Sequence, residues 1–124
     1  NRASAAYEEG DLGAACDGFG RVVRMVPTWA PGRRMFGRTL VQAGLNDDAE
    51  REFRMAAALD PKSAPAHVDL GLFLALNRRN QEEAVEVLEK AVSFDEKVRD
   101  ELASVGELDI LKANPRFRAL MESR

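Results

Sequence analysis

Shifted 34 residues along itself, the chain brings a set of unlike residues into register. Gly10 falls on Gly44, Ala15 on Ala49 and Phe19 on Phe53, while Pro27 falls on Pro61, Ala30 on Ala64 and Pro31 on Pro65. Gly37 then meets Gly71 and Leu40 meets Leu74. After that the register slips by one, because Ala84, Leu88 and Ala91 lie 35 positions beyond Ala49, Phe53 and Ala56. The extra residue falls within residues 77–81, a polar stretch in which a turn absorbs it. A period of this length means that each unit is one supersecondary element unable to bury its apolar face alone, so units must stack. The 124 residues predict one domain with a modest core.

Each unit reads as two helices. Pro31 opens a segment carrying Phe36, Leu40 and Ala43 at helical spacing, and Gly44 stops it. Asn46 is the expected N-cap of a second segment with Ala49, Phe53, Ala56 and Ala57 on one stripe. Asp60-Pro61 ends that helix, since the residue before a proline is pushed out of the helical region. In the next copy Asn80 and Glu83 form a capping box ahead of a helix running to Phe94. No stretch alternates with period two, so the prediction is all-α.

These motifs resemble the tetratricopeptide repeat (TPR) family, over residues 1–98. The family pattern is an aromatic, then Leu-Gly, then Tyr on the first helix, followed by Ala, an aromatic and Pro. The central copy supplies Phe36-Gly37, Leu40, Ala49, Phe53 and Pro61; the third supplies Leu70-Gly71, Leu74, Ala84, Leu88 and Ala91. Arg33 and His67 stand where the family has a large aromatic, and Glu96 replaces the closing proline of the third copy. The resemblance implies a right-handed α-α superhelix of about three helix pairs. Its boundaries would be a truncated first repeat over 1–29, a second over 30–63, a third over 64–98 and a C-terminal cap over 99–124. Close approach of the two helices of a unit is expected at Gly37 and Ala49, with Phe53 and Leu40 filling the gap to the next unit. The first helix of the first unit, with Tyr7, should begin before Asn1. Val98 begins a further helix stopped by Gly106, and Asn114-Pro115 opens a last one with Phe117, Leu120 and Met121 as its stripe. This tail is similar to those that follow the last repeat in bacterial members of the family.

Few side chains are available for chemistry. One cysteine, Cys16, excludes an internal disulfide framework, and one histidine, His67, excludes most metal sites. Cys16 lies in an apolar stripe as a small packed residue, and His67 falls at a helix-packing position far from it. The acid pairs Asp47-Asp48 and Glu82-Glu83 open helices, where they complement the helix dipole. The expectation is a non-enzyme without metal or cofactor. The longest apolar run, over residues 70–76, is far short of the ~20 residues that cross a bilayer. Charge is uneven: residues 18–46 hold five arginines and no acid, while 82–109 hold ten acids against Lys90, Lys97 and Arg99. Either these are solvated helix faces, or they form a polar axis that orients a partner or favours head-to-tail contact. An overall charge of −3, and a basic stretch without interleaved aromatics, argue against nucleic acid.

Two sets of residues are candidates for recognition. By the resemblance, the first helix of each unit lines a concave groove. That register places Arg34, Arg38 and Gln42 in the groove, with Met35 and Val41 beside them. Arg34 and Arg38 are four apart and can present two guanidinium groups to a carboxylate or phosphate. Relatives that clamp an acidic chaperone tail also need a lysine and asparagines on preceding units, but Ser4 stands at the matching position, so a full clamp is not expected. The third unit's first helix is apolar nearly all round, and Val68, Leu72 and Leu76 should project into the groove. Something should cover them: the Phe117 helix folding back, a second copy of the chain, or a partner helix. The reading is a scaffold that binds a protein segment, with acidic groups met by the arginines. The alternative is a structural subunit packing through solenoid ends and convex faces. Fourteen arginines against four lysines suggest a GC-rich bacterial genome, with cytoplasm and periplasm both open.

Overall fold

The computed structural model describes residues 11–122. Among them lie seven α-helices, one 3-10 helix and no strand. The helices are α1 (Leu12–Met25), α2 (Ala30–Gln42), α3 (Asn46–Leu59), α4 (Ala64–Leu76), α5 (Gln81–Phe94), α6 (Val98–Ala103) and α7 (Pro115–Glu122), with the 3-10 helix Gly106–Leu111 between the last two. Tyr7, Ser4 and the expected first helix lie outside the described residues. Backbone contacts divide the chain after Pro61 into two compact units.

In the first unit α2 packs against both α1 and α3. Asp11 caps α1 by accepting the Ala14 N–H at 3.0 Å, and Ala15 and Phe19 form the buried stripe. Pro31 sits in the first turn of α2, where its missing N–H leaves nothing unsatisfied. The helix ends in a Schellman motif: Gly44 takes φ +80°, its N–H bonds Val41 O, and the Leu45 N–H bonds Leu40 O. This closure brings the chain straight into α3, so Leu45 occupies the cap position and Asn46 is already helical. The expected Asn46 cap is therefore corrected, and Asp47 and Asp48 supply the favourable charge in the first turn.

The close approach of α2 and α3 falls one turn from where it was expected. A Cβ built on Gly37 would lie 2.8 Å from Phe53 Cε1, so the glycine makes room for the aromatic ring rather than for Ala49. Phe53, 3% exposed, fills this contact between the two helices of its pair. The second unit repeats the arrangement with an aliphatic side chain: the same construction on Gly71 meets Leu88 Cδ2 at 2.6 Å and Ala84 O at 3.4 Å. Leu74 and Leu88 are buried with it, each worth roughly 1.5–3 kcal/mol.

In the second unit Ser63 caps α4 and Asn80 caps α5, each accepting an N–H three residues on. The connection between α4 and α5 is four residues long where that between α2 and α3 is three. The register slip is therefore located here, and Arg79 takes the left-handed conformation (φ 54°) in this turn. Without the third copy's proline, Asp95 ends α5: its backbone is extended and its carboxylate accepts the Lys97 N–H at 3.0 Å. Gly106 does not simply stop α6 but opens the 3-10 helix, whose i, i+3 eclipsing turns Leu108 and Leu111 into the core together. Asn114 caps α7, accepting the Arg116 and Phe117 N–H groups.

Candidate protein-binding faces

Arg34, Arg38 and Gln42 follow one another at single turns along α2. Arg34 is half-buried, while Arg38 and Gln42 are exposed. The two residues flanking Arg34 turn elsewhere. Met35, expected beside the groove, packs with Phe36 against Ala15 and Phe19. Arg33 donates from Nε to Pro27 O and from Nη1 to Glu52 Oε1, both at 3.0 Å. At the family's aromatic position Arg33 thus covers the helix pair with its stem and pins α3 by a shielded ion pair.

On α4 the equivalent positions, 34 residues later, are Val68, Leu72 and Leu76. Around them Ala64, Ala66, Leu70, Phe73, Leu74 and Ala75 are buried, yet these three remain half-buried. The Phe117 helix packs on α5 and α6, and it is the 3-10 helix that reaches α4. Arg116 fastens α7 to α5 through a forked pair of bonds to Glu89, at 2.9 and 2.6 Å. Arg99 Nε donates to Leu120 O at 2.9 Å.

His67 is 8% exposed; its Nδ1 lies 2.8 Å from Ser63 O and its ring stands edge-on to Phe94 at 5.4 Å. A nitrogen facing a carbonyl must carry the proton, so the ring serves as the packing aromatic that the repeat needs at this position. Burial pushes the Cys16 thiol above its ordinary range and the Asp17 charge adds to it, which disfavours the thiolate a nucleophile requires. Among the described residues no group of three or more His, Cys, Asp or Glu is placed to hold a metal ion. No described helix is long and apolar enough to cross a membrane.

A face missed in the sequence lies on α1. Arg21 and Arg24, one turn apart, border a hollow of about 410 Å³ with Cys16, Asp17, Gly20, Phe36 and Leu40. The acid-free run over residues 18–46 was its only signal, because nothing local shows which arginines find carboxylates.

The tetratricopeptide repeat model matches residues 34–98, more than half of the chain, from within α2 through the end of α5. The chain belongs to the tetratricopeptide repeat family. Its fold is that of two crystal structures of MamA. One superposes with a TM-score of 0.77 at 20% identity, covering 97% of this chain and 70% of that one. The other has a TM-score of 0.67 at 22% identity over 79% and 53%. In sequence the TPR chain is 22% identical over 113 residues to the mitochondrial import receptor subunit TOM70 of Rattus norvegicus. That match covers 91% of the chain but 18% of the relative's length. TPR proteins generally mediate protein–protein interaction and are generally non-catalytic.

Proposed function

We propose that this TPR chain is a non-enzymatic scaffold that binds protein through the first helix of its second repeat and the first helix of its third, taken as residues 30–63 and 64–98. The repeats would be preceded by a partial repeat over 1–29 and closed by a cap over 99–124. Arg34, Arg38 and Gln42 contribute charge and hydrogen bonds; Val68, Leu72 and Leu76 contribute apolar area. The carrying observation is that these corresponding positions stay outside the core while their neighbours Met35, Gly37, Leu40, Leu70, Gly71 and Leu74 are used in packing. The similarity to TOM70, an import receptor subunit, supports recognition of a polypeptide.

The test is affinity capture from the source organism with wild type, Arg34→Ala/Arg38→Ala and Leu72→Ser/Leu76→Ser side by side. A partner retained by wild type and lost by both variants supports the reading. Equal capture by all three would remove these residues from the interface and favour a subunit that packs through its other faces.

A further inference from the structure

We propose that the α1 face around Arg21 and Arg24 docks an acidic peptide segment that carries an apolar anchor. This face is distinct from the Arg34/Arg38 positions and does not rest on them. Arg33, Arg51, Arg54 and Arg116 each hold a carboxylate of their own unit. Among the described residues the Arg21 and Arg24 side chains make no hydrogen bond or ion pair, although Asp17 lies one turn before Arg21. Two guanidinium groups against one carboxylate leave the rim of the hollow cationic, within a run of 29 residues, 18–46, that contains no acid. Its lining includes Gly20, Phe36 and Leu40, apolar surface at which a buried aliphatic or aromatic side chain gains free energy. The absence of a side chain at Gly20 helps keep the hollow open: a Cβ there would come within 3.6 Å of Phe36 Cζ and 3.8 Å of Arg24 Nη1. Met25, directly after Arg24 and one turn beyond Arg21 on α1, is 80% exposed. Cations beside an unfilled apolar floor match a segment in which acids flank a large apolar residue.

The probe is a fluorescein-labelled peptide of glutamates interrupted by two leucines, compared with the same peptide carrying glutamine for glutamate. Anisotropy should show saturable binding of the acidic peptide, weakening with salt. Binding should fall roughly tenfold in Arg21→Gln/Arg24→Gln and stay unchanged in Arg118→Gln, which removes an exposed cation from the C-terminal helix. Because Cys16 lines the hollow, bound peptide should also slow maleimide labelling of this single cysteine in the wild-type protein. Absence of saturable binding, equal binding by the Arg21/Arg24 variant, or unchanged Cys16 labelling would each overturn the proposal. So would a wild-type oligomer that refuses the peptide and is dispersed by the same two substitutions. In that case the acidic residues 82–109 of a second copy would be the occupant.

Discussion

At the scale of single residues, two glycines and one arginine carry the sharpest consequences. Gly37 and Gly71 leave no room for a methyl group, since the obstructing atoms belong to a buried ring and to the branch point of a buried leucine. Gly37→Leu should lower stability by ~1–3 kcal/mol or more, and Gly71→Ala should be costly as well. Both are read as shifts in the urea midpoint, and a Gly37→Leu melt matching wild type would show that the Phe53 contact is not tight. Arg79 has the opposite sign. A non-glycine left-handed residue costs ~1–2 kcal/mol, and glycine returns about 0.4–1 kcal/mol of that through the unfolded chain, so Arg79→Gly should be neutral to stabilising by ~1 kcal/mol. A clear loss would mean that the arginine side chain matters more than its backbone angle. Cys16 adds a pH dependence. Its folded thiol holds the proton more tightly than the unfolded one, so its contribution is present below the unfolded thiol's ordinary pKa and is lost as pH rises through the folded value. Cys16→Ser should flatten that alkaline decline in a pH series of chemical melts.

At the scale of elements, the last helix shows how a short segment is retained. Phe117 is the single fully buried residue of α7, and Asn114 supplies its cap. Phe117→Ala should cost ~3–5 kcal/mol if the helix stays in place. Because α7 is only eight residues long, detachment is cheaper than an open cavity, and the loss should appear as local opening. Hydrogen exchange of residues 115–122 should then accelerate while the backbone of α2 and α3 keeps its protection; uniform acceleration would show that the cap is part of the cooperative core. The helices themselves were largely legible. Pro31, Gly44, Asp60-Pro61 and Asn80 act within a few residues of themselves, so the boundaries they imply appear in α2 through α5. The Asn46 cap failed because the closing bond from Leu45 to Leu40 reaches across the turn. The 3-10 helix was illegible, because Leu108 and Leu111 satisfy either helical period.

At the scale of the whole molecule, the repeat leads to a binding prediction of its own. If the α4 positions contact a partner, Leu72→Ser/Leu76→Ser should weaken its capture while the circular dichroism spectrum remains that of wild type. Loss of the helical signal would instead assign both leucines to the core. By itself the sequence determined the all-α repeat and its period, because glycine, proline and small-residue positions constrain backbone and helix spacing wherever they recur. Only the tertiary structure decided that Gly37 receives Phe53, that Arg33 is spent on Glu52, and that Arg21 and Arg24 border a hollow whose lining includes one carboxylate, Asp17. Such pairings join residues on different helices, where distance in space, set by the packing of whole side chains, is independent of distance along the chain.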